Sequence, residues 1–153
     1  MNVEILDPLE AAAQALIARL DEHLAALYDF AINHAASVQS MELPSVRFLG
    51  AYVDGELIGC GAVRTVEGDC TYGEIKKVFV TEEHRGHGHS KAIVRELEAH
   101  LRRTGVRVAR LATGIRQPEA ISLYASLGYV RRPPFAAQTA DSSTVYMEKQ
   151  LDA

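Results

Sequence analysis

The segment of residues 78–91, which reads VFVTEEHRGHGHSK, constrains the fold of this chain more than any other. It predicts an apolar β-strand, a short loop with two glycines, and a helix that begins directly after the loop. Glycine lets the backbone approach a ligand without a Cβ atom in the way. The first turn of a helix offers unpaired N–H groups and the positive end of its dipole. The segment therefore predicts a seat for phosphate oxygens.

Two familiar phosphate-binding patterns fit these residues poorly. A P-loop requires Gly-x-x-x-x-Gly-Lys-Ser/Thr, whereas the run Gly88–Lys91 reverses the lysine and the hydroxyl and lacks the first glycine. The dinucleotide fingerprint Gly-x-Gly-x-x-Gly is met at Gly86 and Gly88 but fails at Lys91. That fingerprint also needs an acidic residue about 20 positions later, where this chain has Leu-Ala-Thr at 111–113.

A third pattern fits better. Arg85–Ser90 resembles the Arg/Gln-x-x-Gly-x-Gly/Ala loop of the GNAT family, the Gcn5-related N-acetyltransferases, with serine in the last position. Upstream, residues 72–80 look like the central strand of that family. Downstream, Gln117–Tyr129 resembles its Asn-x-x-Ala-x-x-Leu-Tyr-x-x-x-Gly-Phe/Tyr helix, with Gln117 in place of asparagine. The resemblance covers about residues 46–132.

The resemblance implies one N-acetyltransferase domain over residues 1–153, with acetyl-CoA as co-substrate. It implies direct transfer of the acetyl group to a primary amine in a ternary complex. The loop would bind the diphosphate of the coenzyme, and the strand before it would pair with the pantetheine arm. The residues expected to contact the cofactor are Val78, Phe79, Val80, Arg85, Gly86, His87, Gly88, His89, Ser90, Lys91, Gln117 and Tyr124.

Two residues are candidates for the chemistry of transfer. Strand alternation predicts Tyr72, Glu74, Lys76 and Val78 on one face, and a mid-strand carboxylate near the loop suits a general base. A glutamate at the matching place acts as general base in the GNAT family, often through a water. The alternative is a solvent-facing glutamate paired with Lys76 or Arg64. The resemblance makes Tyr124 the acid that protonates the CoA sulfur, and the alternative is a core aromatic residue.

The adjacent Lys76 and Lys77 interrupt the alternation of this strand. Either one of the two lies on a wet face, or a β-bulge shifts the phase of the strand there. The GNAT family splits its sheet at about this point, and the gap admits the pantetheine arm. The resemblance then implies that the N–H groups of Val78 and Val80 bind pantetheine, and that Val78 polarises the thioester carbonyl.

Three histidines in the loop, His84, His87 and His89, could in principle bind zinc or nickel. Metal ligation there would compete with the phosphate that the loop is expected to wrap. We therefore expect no metal site. His87 and His89 are expected to contribute backbone N–H groups, with their side chains towards solvent.

Charge and hydropathy narrow the remaining function classes. With 153 residues and a net charge of −4, the chain does not have the character of a nucleic-acid binder. It contains no run long enough to cross a bilayer and no signal peptide, so a cytoplasmic protein without membrane partners is expected. The acceptor could be a small-molecule or peptide amine, and a homodimer is left open. The alternative function is a non-catalytic acyl-CoA-binding regulator.

The fold predicted is α/β, with a mixed, mostly antiparallel sheet, one parallel β-α-β crossover and flanking helices. Helical periodicity covers residues 7–36, with Asp21 as a candidate break, and residues 37–45 are predicted as a loop. Glycines in the strand around Gly61 suggest that another element packs closely on it. The acceptor is expected to be bound by the N-terminal helices, the Asn33–Pro44 region and the Pro133–Ser143 loop.

Overall fold

The computed structural model describes residues 1–28, 34–135 and 143–152. Strands and helices alternate in the second half of the chain, and a short 3₁₀ helix follows the fourth strand. No helix within these ranges is both long and apolar enough to cross a bilayer. The elements are β1 (Asn2–Ile5), α1 (Ala11–Tyr28), α2 (His34–Ser40), β2 (Val46–Val53), β3 (Glu56–Glu67), β4 (Thr71–Val80), α3 (His89–Arg103), β5 (Val108–Gly114), α4 (Pro118–Ser126), β6 (Val130–Arg132) and β7 (Thr144–Gln150).

The strands form one seven-stranded sheet in the order β1-β2-β3-β4-β5-β7-β6. Only β4 and β5 pair in parallel, and α3 makes the crossover between them; the other neighbouring pairs are antiparallel. This confirms the predicted mixed, mostly antiparallel sheet with a single β-α-β crossover. Because a parallel pair needs a long connection, the chain leaves β4 for that crossover through residues 85–90, called here the glycine loop.

Helices cover both faces of the sheet. On one face, α3 and α4 pack over a core that includes Ile75, Ile93, Leu97, Leu111 and Tyr124. On the other face, α1 and the residues after α2 pack over a second core that includes Ile17, Leu20, Met41, Phe48 and Phe79. Apolar burial at roughly 25 cal/mol per Å² is what holds these layers together.

Helix α3 lies very close to the middle of the sheet. A Cβ atom at Gly61 would come within 2.5 Å of Ile93 Cγ2, which real structures do not allow. Glycine in β3 therefore lets the buried face of α3, with Ile93 and Leu97 fully buried, press against the strand. This confirms the prediction that an element packs closely over these glycines.

The N-terminal region differs from the sequence prediction in three places. Helix α1 runs through Asp21 without a break, because the carboxylate is buried and accepts a hydrogen bond from the Ser37 hydroxyl at 3.3 Å. Part of the segment 37–45 predicted as a loop is the end of α2. Strand β1, which was not predicted, pairs with β2 at the edge of the sheet.

A buried polar cluster fixes α3 against the end of α4 and β7. The Tyr129 hydroxyl donates to Glu98 Oε2 at 2.7 Å, and Lys149 Nζ donates to both carboxylate oxygens at 3.1 and 3.2 Å. Glu98 is only 2% exposed. Burial, and then the Glu98 charge, raise the pKa of Tyr129, which keeps this hydroxyl a donor.

We expect Tyr129→Phe to lower the free energy of unfolding by about 1–3 kcal/mol, because a buried carboxylate loses a donor. Urea unfolding of both proteins measures the difference. Tyr52→Phe is the matched control, since the half-buried Tyr52 hydroxyl has no hydrogen bond within the described residues. Equal losses for the two variants would contradict a stabilising role for the cluster.

Candidate active site

The sheet opens in its middle, between β4 and β5. These two strands are paired only at Gly73 with Ala109, Glu74 with Arg110, and Ile75 with Leu111. After Ile75, the side of β4 that faces β5 has no strand partner within the described residues. Such an edge carries backbone N–H and C=O groups that an extended ligand can satisfy.

A β-bulge lies at the point where the strands separate. Lys77 has a φ of 58°, and the register of β3 with β4 shifts between Cys60 and Ala62. Before the bulge, Tyr72 and Glu74 point to the α1 face of the sheet, opposite Ile75. After it, Val78 packs against the α3 core. The prediction that Val78 shares a face with Glu74 is therefore wrong, and the bulge considered as an alternative is confirmed.

A buried ion pair holds this bulge in place. Lys77 Nζ donates to the Ser37 hydroxyl oxygen at 2.6 Å and lies 3.5 Å from Asp21 Oδ1. The Cys60 thiol donates to the Lys77 carbonyl at 3.2 Å. Burial raises the pKa of Cys60 to about 12, so the thiol keeps its proton at neutral pH. The contacts of Lys77 with Asp21, Ser37 and Cys60 thus hold its left-handed backbone, which is costly for a residue with a Cβ.

Two cavities meet at the opening and form one continuous cleft. The larger, about 720 Å³, lies between the ends of β4 and β5 and reaches α1. The smaller, about 470 Å³, extends from there to the glycine loop. The wall residues that the two cavities share are Leu20, Val78, Arg116, Gln117, Ala120 and Tyr124.

The glycine loop forms the far end of the smaller cavity. Gly86 and Gly88 have φ angles of 83° and 78°, and a Cβ at either would be strained. Helix α3 begins at His89 without a side-chain cap, so its first N–H groups face the cavity region unpaired by a capping side chain. Arg85 Nε donates to the Val80 carbonyl at 2.9 Å, which ties the loop to the end of β4.

Most residues predicted to contact a cofactor lie together in this cavity. His87 is the exception, since it is exposed and does not line the wall. The predicted residues on the wall are Val78, Phe79, Val80, Arg85, Gly86, Gly88, His89, Ser90, Lys91, Gln117 and Tyr124. A glycine-rich rim, an uncapped helix start and a cavity of this size fit a diphosphate with an extended arm.

Tyr124 stands at the junction of the two cavities. Its side chain is 6% exposed, and its ring meets that of Tyr129 edge to face at 5.6 Å. Burial raises the pKa of Tyr124, so its hydroxyl stays protonated at neutral pH. From the sequence, Tyr124 was either the acid of the reaction or a core aromatic residue. In the structure it is a core residue that also lines the cleft.

Glu74 lies outside both cavities, although its neighbours Ile75 and Lys76 line the larger one. It points to the α1 face, whereas Tyr124 belongs to the α3 core. Arg64 and Arg110 are its cross-strand neighbours in the register. Within the described residues its carboxylate makes no ion pair. Glu74 and Tyr124 are thus placed on opposite sides of the sheet, and the opening between β4 and β5 is the path that connects the two sides.

Gln117 and the loop histidines have local partners. Gln117 Oε1 accepts a hydrogen bond from the Gly114 N–H at 3.2 Å, which closes the turn between β5 and α4. His84 Nδ1 lies 3.0 Å from Thr81 Oγ1. Burial and the neighbouring His87 lower the pKa of His89. No group of three potential metal-ligating side chains occurs in the described part of the chain.

Several cleft residues were not singled out from the sequence as site residues. Helix α1 contributes His23 and the three leucines Leu20, Leu24 and Leu27. The spacing of the leucines in the sequence predicts only an amphipathic helix that packs on the sheet. Arg116 bridges the cleft by donating to the Leu27 carbonyl at 2.8 Å. In the sequence Arg116 is one of seven arginines between residues 102 and 132, and this concentration of positive charge was the only indication that it could lie near an anionic ligand.

The segments predicted to bind the acceptor are placed in part. The described residues of the Asn33–Pro44 region line neither cavity of the cleft, and its last four residues line a separate cavity. Of the Pro133–Ser143 loop, Ser143 lines the larger cavity. Residues 29–33 and 136–142 lie outside the described residues.

Comparison with known proteins gives a consistent result. The sequence model of the Acetyltransferase (GNAT) family matches residues 10–129. A protein of Azospirillum brasilense named IAA acetyltransferase is 35% identical over 144 residues, 94% of each chain. A solved structure from Klebsiella pneumoniae, assigned as an acyl-CoA N-acyltransferase, is 34% identical with a TM-score of 0.83, covering 99% of this chain and 97% of that one.

The fold also resembles a protein solved with coenzyme A. PaiA N-acetyltransferase from Thermoplasma acidophilum, in complex with coenzyme A, has a TM-score of 0.70 at 19% identity. The match covers 98% of this chain and 99% of that one. At this identity the likeness concerns the fold alone.

The ion pair at the bulge gives a stability prediction. We expect Lys77→Met to lower the free energy of unfolding by about 3 kcal/mol, because the buried Asp21 carboxylate loses its cation. Lys77→Gly should lower the free energy of unfolding somewhat less than Lys77→Met does, since glycine adopts a positive φ without strain. Urea unfolding measures both. Arg103→Met, at the exposed end of α3, is the control. If the Lys77 variants lower the free energy of unfolding no more than Arg103→Met does, Lys77 does not anchor the bulge.

Proposed function

The chain belongs to the Acetyltransferase (GNAT) family and is an acetyltransferase, and we propose that it moves the acetyl group of acetyl-CoA directly to a primary amine in a ternary complex. In this proposal residues 1–153 act as one N-acetyltransferase domain. The observation that carries it is the continuous cleft from the glycine loop to the α1 side of the sheet. A cleft of that form lets two substrates reach one reaction centre from opposite ends.

The smaller cavity is the proposed seat of the coenzyme. The N–H groups of residues 86–91 and the positive end of the α3 dipole would bind the diphosphate. Lys91 and Arg85 add positive charge on the same wall. The bound acetyl-CoA supplies an activated thioester, which the arm would carry along β4 towards the junction of the cavities.

Backbone N–H groups of β4 are proposed to act at the thioester. Beyond Ile75 this strand lacks a partner on its β5 side within the described ranges, so the N–H groups of Val78 and Val80 can pair with the pantetheine arm. Val78 follows the bulge at Lys77 and lines both cavities. Its N–H would donate to the carbonyl oxygen, where negative charge develops during attack by the amine.

Tyr124 is proposed as the acid that protonates the departing sulfur. Tyr124 lines both cavities, and burial raises the pKa of its hydroxyl, which therefore stays protonated at neutral pH. The thiolate would form in the same cleft, where this hydroxyl donates a hydrogen bond to the sulfur and then the proton.

Glu74 is proposed as the base, acting through a water. The amine would enter the larger cavity, whose wall includes Ile75 and Lys76, the neighbours of Glu74 in β4. In the tetrahedral intermediate the amine nitrogen and the sulfur are bound to the same carbon, so a base and an acid can reach them from different directions. Glu74 lies outside the cavity and would therefore act through a water.

Gly88→Glu tests the cofactor seat. We expect it to abolish binding of acetyl-CoA in isothermal titration, because it brings strain and negative charge to the diphosphate site. Gly55→Glu is the matched control: Gly55 also has a positive φ, 79°, but lies in the β2–β3 turn away from the cleft. Binding that survives in the Gly88 variant, or that fails in the unaltered protein, would overturn the proposed seat.

Tyr124→Phe and Glu74→Gln test the chemistry. We expect each to lower kcat by about a hundredfold, the usual scale for losing an acid or base, while the Kd of acetyl-CoA is unchanged. Thiol release with a panel of amines measures turnover. Unchanged kcat in either variant would remove that residue from the mechanism. Cofactor binding without thiol release for any amine would favour the regulator instead.

A further inference from the structure

Lys76 is a cation on the wall of the larger cavity. Its side chain is half-buried, and within the described residues its ammonium makes no hydrogen bond or ion pair. Burial is the main cause that lowers the pKa of Lys76, and the nearby Glu74 opposes it. A partly desolvated ammonium that borders a cavity is a favourable contact for an anionic group of a molecule bound there.

Other cations of the same wall are already engaged. Lys77 is paired with Asp21, and Arg116 donates to the carbonyl of Leu27. Both bonds hold parts of the cleft together. Lys76 differs, because its ammonium makes no bond among the described residues that would hold parts of the cleft together.

The phosphates of the coenzyme do not explain Lys76. The glycine loop borders the smaller cavity, where Arg85 and Lys91 supply positive charge, and Lys76 does not line that cavity. Lys76 lines the larger cavity, in the part of the cleft between β4 and β5. Of the two proposed substrates, the acceptor is the one that would bring an anion there.

We propose that the acceptor is an amine that carries a carboxylate, an amino-acid-type zwitterion, whose carboxylate binds Lys76. Glu74 and Lys76 lie two residues apart on one face of β4, roughly 6.6 Å along the strand. Lys76 would hold the carboxylate, so that the amine faces the thioester at the junction of the cavities, with Glu74 on the same face of β4 to take its proton through a water. The aliphatic wall of the same cavity, from Leu20, Leu24 and Leu111, suits an apolar body.

The inference rests on the proposed function and leaves its chemistry unchanged. The amine nitrogen forms a bond to the acetyl carbon, and the carbon–sulfur bond of the thioester breaks. The ammonium gives one proton through water to Glu74, and the sulfur takes the Tyr124 proton as the carbon–sulfur bond breaks. The nitrogen gives its second proton to the Tyr124 phenolate, and Glu74 releases its proton to solvent, so the products are an N-acetyl amino acid, CoA thiol and one proton. Lys76 exchanges no proton and is a specificity-determining residue.

The test compares acceptor pairs in which the same amine carries either a carboxylate or a carboxamide: phenylalanine with phenylalaninamide, and γ-aminobutyrate with its amide. For Lys76→Met we expect kcat/KM for the carboxylate member to fall by about tenfold to a hundredfold, the scale of one charge-assisted hydrogen bond. The fall should lie in KM, with the carboxamide member and the KM for acetyl-CoA unchanged. Lys76→Arg should restore most of the loss, and Arg103→Met should match the unaltered protein.

Two results would overturn the inference. A similar fall in kcat for both members of a pair would make Lys76 a catalytic base instead. A better rate with carboxamides, or with the polyamine spermidine, in the unaltered protein would also exclude a carboxylate site.

The failure of the proposed function is distinguishable from the failure of this inference. Isothermal titration of phenylalanine into the CoA-loaded protein measures acceptor binding without turnover. Binding that Lys76→Met abolishes, without acetylation of any amine, supports the carboxylate site and rejects the transferase. Acetylation of amines with no dependence on Lys76 rejects the carboxylate site alone.

Discussion

The cleft depends on one buried ion pair, between Lys77 of β4 and Asp21 of α1. Together with the Ser37 hydroxyl and the Cys60 thiol, it fixes a left-handed residue inside a strand. A bulge at that point bends β4 away from β5, so that their pairing ends at Ile75. Beyond the bulge the edge of β4 that faces β5 has no strand partner within the described residues, and such an edge is costly unless another group satisfies its backbone hydrogen bonds.

This opening decides how the two sides of the sheet are used. Tyr124 belongs to the α3 core, while Glu74 and Lys76 lie on the opposite, α1 face of β4. Lys76 and Tyr124 nevertheless line one cavity, because the two strands separate after Ile75. The proposed seats of the coenzyme and the acceptor are therefore neighbouring parts of one cleft beside the bulge.

Sequence reasoning reached the loop and the parallel crossover because their signals are local. Glycines followed by an amphipathic helix fix the phosphate seat within a few residues of chain, and the cavity there contains all but His87 of the predicted contacts. The same reasoning failed for Asp21, which was expected to interrupt a helix. Its partners Ser37 and Lys77 are 16 and 56 residues away, and no local pattern shows that a carboxylate will be buried among them.

The sequence alone determined the order of the elements from β2 onwards and the strand-to-helix glycine loop, since these follow from periodicity and short motifs. Tyr124 became a candidate through the resemblance of residues 117–129 to the GNAT helix. Only the tertiary structure decided which face each side chain occupies after the bulge, and that placed Val78 opposite Glu74. It also decided that α1 and Lys76 border the cleft. Such facts depend on the phase of one strand and on contacts between distant segments, because a shift of one residue reverses every side chain that follows.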